Sequence, residues 1–90
     1  MTKYTVTFTR SARKELEALN AKTVSVIFSK IENLSLAPRP TGCKKLVGNK
    51  YLWRIRCGKY RVVYAIYDHT KTVDVIAIRD RKEAYQQLKN

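Results

Sequence analysis

Ninety residues carry one modest core, so a single domain over residues 1–90 is expected. With 44% hydrophobic and 29% charged residues, the chain matches neither a disordered segment nor a membrane-spanning one. Nineteen Lys+Arg against seven Asp+Glu leave a formal charge of +12, which repels itself and concentrates polyanions nearby.

The partner class implied is nucleic acid, a membrane surface or an acidic protein. The alternative is a small basic protein with no specific anion. The opening MTKYTVTFTR alternates polar and apolar residues, unlike the continuous apolar stretch of a signal peptide. No apolar run approaches the ~20 residues of a membrane helix. A cytoplasmic protein is expected, with no membrane partner. Cys43 and Cys57 make no disulfide framework and read as small reduced core residues. His69 is the only histidine, and no metal-ligand spacing such as C-x-x-C is present. No metal and no cofactor are expected.

In chain order, residues 3–8 (KYTVTF) put Tyr4, Val6 and Phe8 on one face of a strand. SARKELEALN follows as a helix, capped by Ser11 or Thr9, with Ala12, Leu16 and Leu19 as its apolar stripe. Asn20 and the short AKT link end it. A second helix is expected over Thr23–Leu34, on the spacing of Val24, Ile27, Phe28, Ile31 and Leu34. LAPRPTG stops it, because proline neither continues a helix nor lets the preceding residue do so. Residues 43–48 read as a short strand. LWRIRC (52–57), YRVVYAIYD (60–68) and TVDVIAIR (72–79) read as three more. RKEAYQQLK (81–89) is a terminal helix or tail. The fold class is α+β, in the order β-α-α-β-β-β-(α), with a helical hairpin packed on one face of an antiparallel sheet.

With Gly58-Lys59 as a type II′ turn, the central hairpin has one register. Cys57 faces Tyr60, Arg56 faces Arg61, Ile55 faces Val62, Arg54 faces Val63 and Trp53 faces Tyr64. One face is then apolar, from Trp53 to Ile66. The other carries Arg54, Arg56 and Arg61. A slip of one residue buries the arginines and exposes the tryptophan, so the register is strongly specified. Like charges facing each other destabilise a strand pair. Guanidinium forks match phosphate oxygens, so a phosphodiester is the natural ligand. A solvated polar face is the bland alternative.

The series KKL-x-G, WRIRCGKYRVVY and VDVIAIRDRKEAY, after an R-x-x-K-E-L helix, resembles the RelE/ParE superfamily of bacterial toxins from toxin–antitoxin modules. The resemblance covers nearly the whole chain, and the WRIR-x-G-x-YRVVY hairpin is its most specific part. It implies a RelE/ParE-like, microbial ribonuclease-like fold and a RelE-like toxin. Such toxins cleave messenger RNA in the ribosomal A site: the 2′-OH attacks the adjacent phosphate and leaves a 2′,3′-cyclic phosphate, without metal. ParE-like members keep the fold, lack the nuclease residues and inhibit DNA gyrase; that is the alternative function. A plain basic nucleic-acid-binding module is a third.

Carried over residue by residue, the resemblance implies Arg54, Arg56 and Arg61 as catalytic residues, with Tyr85 in the tail. The tail arginine is Arg79 or Arg81, depending on the alignment. Asp80 stands where many members have histidine or lysine. Lys44, Lys45, Lys50 and Lys59 are the implied RNA contacts. The implied partners are a RelB-like, locally acidic antitoxin, the ribosome and messenger RNA. Arginine does not give up its proton, so Tyr85 is the best candidate for proton transfer, its phenolate favoured by surrounding positive charge.

Overall fold

The computed structural model describes residues 3–80; Arg81, Tyr85 and the expected terminal helix lie outside them. The elements are β1 (Thr5–Phe8), α1 (Arg10–Glu17), α2 (Ala21–Asn33), β2 (Lys44–Lys45), β3 (Leu52–Cys57), β4 (Tyr60–Tyr67) and β5 (Thr72–Asp80). They form one five-stranded sheet in the order β1-β5-β4-β3-β2, with two helices packed on one face.

The helix ends follow from short polar side chains. Thr9 caps α1, its hydroxyl accepting the Ala12 N–H at 3.1 Å. Asn20 caps α2, its side-chain oxygen accepting the Thr23 N–H at 2.8 Å. Asn20 therefore begins the second helix two residues before the expected start, besides separating it from the first. Ala12, Ile27, Ile31 and Leu34 from the helices meet Ile55, Cys57, Val62, Tyr64, Val73, Val75 and Ile78 from the sheet in one core. Burial pushes the Cys57 thiol pKa up. It does the same to the Tyr64 phenol, which donates to the Pro38 carbonyl at 2.8 Å.

The hairpin register is as the alternation requires, with Arg56 opposite Arg61 and Cys57 opposite Tyr60. Gly58 has φ +61, while Lys59 keeps a negative φ. A type II′ turn has that pair of signs and a type I′ turn does not.

Two features differ from expectation. The sheet is mixed rather than antiparallel, because β1 runs parallel to β5, with Thr5 opposite Thr72 and Phe8 opposite Val75. The strand expected over residues 43–48 is present as β2, where Lys44–Lys45 pair with Arg54 and Trp53, which makes five described strands where the order β-α-α-β-β-β-(α) counts four. That strand is two residues long instead of six. Leu46 donates to the Leu52 carbonyl, and the chain then turns through Gly48 at φ +82.

Candidate RNA-binding and catalytic face

The face of the sheet away from the helices gathers the basic side chains into two adjacent rows. In the first, Arg56 on β3 stands opposite Arg61 on β4, and Arg61 stands opposite Arg79 on β5. In the second, Lys44 on β2 stands opposite Arg54, then come Val63 and Ala77. Facing residues on antiparallel strands lie about 5 Å apart at Cα, and rows of one face repeat every ~7 Å along a strand. Five cations are thus anchored within a patch about the width of a dinucleotide.

Sheet architecture fixes this grouping. β4 is the central strand, so Arg61 has an arginine on each side. A bulge at the Val63/Tyr64 step offsets β5, placing Ala77 opposite Val63 and Val75 opposite Tyr64. The bulge lets Ile78, Val75 and Val73 all join the core while Arg79 stays in line with Arg61. Arg61 is 9% exposed, and among the described residues it is the one charged side chain that is buried. Arg54 is half-buried and Arg56 exposed. The crowding of like charge is therefore less solvated than alternation alone suggests. A buried guanidinium flanked by two others exerts a stronger field than a surface one.

Arg79 is held by α1. Its Nε donates to Glu15 Oε2 at 2.7 Å, and the Ile78 N–H donates to Glu15 Oε1 at 2.9 Å. β1 ends at Phe8, so among the described residues the outer edge of β5 beyond Val75 has no strand partner. Thr9 takes over there, its N–H donating to the Val75 carbonyl and its hydroxyl to the Ile76 carbonyl, and Glu15 completes the edge. The sequence held a signal for Glu15. It stands three residues after Ala12 and beside Leu16, an acid within the apolar stripe of its helix.

The four lysines separate. Lys44 shares the arginine face. Lys45, opposite Trp53, alternates to the helix side. Lys59 lies over the Tyr60 ring at 5.5 Å at the hairpin tip, and Lys50 over the Tyr51 ring at 5.8 Å. Tyr51 and Tyr67 form an aromatic pair at 5.2 Å. Asp80 ends β5 opposite Tyr60. Among the described residues, no three His, Cys, Asp or Glu side chains come together to hold a metal ion. No helix there is long and apolar enough to cross a membrane.

A second polar cluster, which alternation did not reveal, closes the opposite end of β4. Arg39 donates to both oxygens of Asp68, at 3.3 and 2.8 Å, and the Tyr4 hydroxyl donates to the same carboxylate at 2.6 Å. Arg39 also stacks over Trp53 at 5.1 Å. Together these bonds clasp the 35–43 loop and the β1 end to the β4–β5 turn. Arg39, and then Tyr4, hold the Asp68 carboxyl well below the usual carboxylate range, at about 2. The same bond to Asp68 raises the Tyr4 phenol.

A family model described as "ParE toxin of type II toxin-antitoxin system, parDE" matches residues 6–85. The chain belongs to the RelE/ParE superfamily of type II toxins. The toxin is similar to that of the RelBE2 toxin–antitoxin complex of Mycobacterium tuberculosis, at 30% identity and a TM-score of 0.79, over 90% of this chain and 94% of that one. It is similar to the archaeal RelE–RelB complex of Pyrococcus horikoshii at 27% identity and a TM-score of 0.78, over 90% and 97%. Isolated E. coli RelE matches at 25% identity and a TM-score of 0.75, over 94% and 98%. No curated protein matches by sequence. These likenesses cover nine-tenths or more of the chain, and the toxin's arginine rows stand on strands of that shared fold.

Proposed function

We propose that the toxin is a metal-independent endoribonuclease that cleaves messenger RNA in the ribosomal A site and so arrests translation. The observation that carries this reading is the row Arg56–Arg61–Arg79 beside Arg54. A scissile phosphate seated over Arg61 meets guanidiniums from three strands. In the reaction the 2′-oxygen forms a bond to phosphorus and the bond from phosphorus to the 5′-oxygen breaks. The proton of the 2′-OH leaves to a base, and the departing 5′-oxygen takes up a proton. Negative charge builds on the phosphorane between these events. Preorganised donors aimed at that charge each contribute about 3 kcal/mol of transition-state stabilisation. Arg61, buried and fixed by β4, is the best preorganised of them; Arg56, exposed at the rim, first attracts the strand. Tyr85 is proposed for proton transfer.

The partner of the resting toxin is proposed to be a locally acidic antitoxin, in the place that RelB holds in the RelE–RelB complex it resembles. Such a chain neutralises the arginine face, and its association rate falls with added salt.

A second reading has two observations in its favour. The family model matched is that of ParE toxins, and Asp80 stands where the resemblance to nuclease members implies a histidine or lysine. On that reading the toxin inhibits DNA gyrase without catalysis. Primer extension on translating ribosomes, run beside a gyrase supercoiling assay, separates the two. New 5′ ends within codons support the nuclease. Loss of supercoiling with intact messenger RNA supports the gyrase inhibitor.

A further inference from the structure

Because β2 is only two residues long, β3 has no described strand partner along its outer edge from Ile55 to Cys57. α2 passes beside that edge, and the loop after it folds back. Between them lies a cleft of about 570 Å³, lined by Lys30 and Asn33 of α2, Thr41 and Gly42 of the loop, and Lys44, Arg54 and Arg56 of the strands among others. Four of its lining residues are cations and none is a carboxylate. Lys30 and Asn33 belong to no part of the reading above, and the cleft opens beside two arginines that do.

We propose that this edge cleft is a nucleotide subsite, holding the phosphate and base of the RNA nucleotide next to the one over Arg61. The inference rests on the nuclease reading and adds to it a second contact point on the strand. Its size falls within the range of small-ligand pockets. Lys30 of α2 and Lys44 of β2 both line the cleft and supply the charge for a phosphate. The Asn33 amide and Thr41 hydroxyl supply donors and acceptors for a base edge or ribose. The backbone of an acidic peptide also bonds to amides and hydroxyls; RNA is favoured because the cleft shares Arg54 and Arg56 with the face assigned to RNA above. A strand running from the cleft to Arg61 crosses Arg54 and Arg56 and is guided by both. Lys30 also lies in the last turn of α2, where a cation suits the helix dipole, and that role alone affects stability, not binding.

The test is binding of a short, labelled single-stranded 2′-O-methyl RNA to the full chain as salt is varied, with melting temperature measured alongside. Lys30→Ala is expected to lower the slope of log K against log salt by about 0.7, the amount for one phosphate contact on a single strand, with a nearly unchanged Tm. Asn33→Ala is expected to weaken binding at an unchanged slope. Lys22→Ala, an exposed lysine of the same helix outside the cleft, is expected to leave the slope as it is. Equal effects from Lys22→Ala and Lys30→Ala overturn the proposal, as does a Lys30→Ala change in Tm alone. If Arg56→Ala weakens binding and neither cleft variant does, the subsite falls and the nuclease reading stands. If the unaltered toxin does not bind this RNA, the subsite falls, while the nuclease reading is decided by primer extension on translating ribosomes. Polyglutamate whose binding responds to Lys30→Ala, while RNA binding does not, assigns the cleft to an acidic partner instead.

Discussion

Glu15 and Arg79 join α1 to the edge of β5 by a 2.7 Å bond from the arginine Nε, while the second Glu15 oxygen takes the Ile78 N–H. The pair is about one-quarter exposed on each side. It does two things at once: it satisfies a backbone donor that no described strand reaches, and it fixes the Arg79 side chain to α1. Glu15→Ala removes both acceptors. The expected loss is about 1–2 kcal/mol, mostly from the unpaired N–H and only partly from the ion pair. Thermal unfolding should show a Tm lower by roughly 5–10 °C for a chain of this size. Glu15→Gln keeps one acceptor oxygen, enough for the Ile78 N–H, but sets an amide NH2 against the Arg79 Nε–H; its loss should be smaller than that of Glu15→Ala. Equal losses from both variants would put the charge, not the bonds, at the centre of the contact.

The same contact bears on the choice between Arg79 and Arg81. Arg79→Ala is expected to lower Tm as well as cleavage, because Glu15 loses its partner. Arg81→Ala is the cleaner probe of the tail. A variant of Arg81 that cuts at the normal rate, beside an inactive and stable Arg79→Lys, assigns the role to Arg79.

The Arg39–Asp68–Tyr4 clasp gives a pH signature. Asp68 has a folded pKa of about 2, below its ordinary value near 3.8. Its folded state therefore binds the proton less readily than the unfolded state does. The stabilisation is fully present above pH ~4 and is lost as pH falls toward 2. Asp68→Asn should lower Tm at neutral pH, and the difference from the unaltered toxin should shrink between about pH 4 and 2. The carboxylate is exposed, so added salt should also reduce the difference. A gap in Tm that is constant from pH 7 to pH 2 would contradict this role.

Arg61 separates charge from geometry. Arg61→Lys keeps a cation between Arg56 and Arg79 but removes the planar fork. Cleavage by ribosome-bound toxin should fall by about 10²-fold or more, while Tm should change by only a few degrees. Retained cleavage with a large fall in Tm would make the arginine a structural residue.

The hairpin was the most legible part of the fold. Its period-two alternation and a glycine at the turn leave a single register, and that register is the one seen. The arginine face came with it, since Arg54, Arg56 and Arg61 follow from the same alternation. The relation of Arg79 to Arg61 was not legible, because it depends on a bulge in β5 that leaves no mark in the pattern of TVDVIAIR. The parallel pairing of β1 was hidden for a different reason: its partner lies 67 residues away, and four alternating residues do not say which edge they join. The surroundings of Lys45, Lys50 and Lys59 were not legible either: Lys45 stands opposite Trp53, and Lys50 and Lys59 lie over the rings of Tyr51 and Tyr60. The clasp of Arg39 on Asp68 joins a loop to a turn, and no periodicity connects such segments.

The identity of the nucleophile tests the central claim most directly. A ribosome-bound messenger RNA carrying one 2′-deoxy sugar at the cleavage site should bind and resist cutting. The unmodified message should give a 2′,3′-cyclic phosphate or 3′-phosphate upstream and a 5′-OH downstream. Tyr85→Phe, which keeps the ring and removes the hydroxyl, should slow this reaction without changing Tm if Tyr85 moves the proton. Cutting of the 2′-deoxy message at the normal rate, with 5′-phosphate ends, would contradict attack by the 2′-OH and with it the role given to the Arg56–Arg61–Arg79 row.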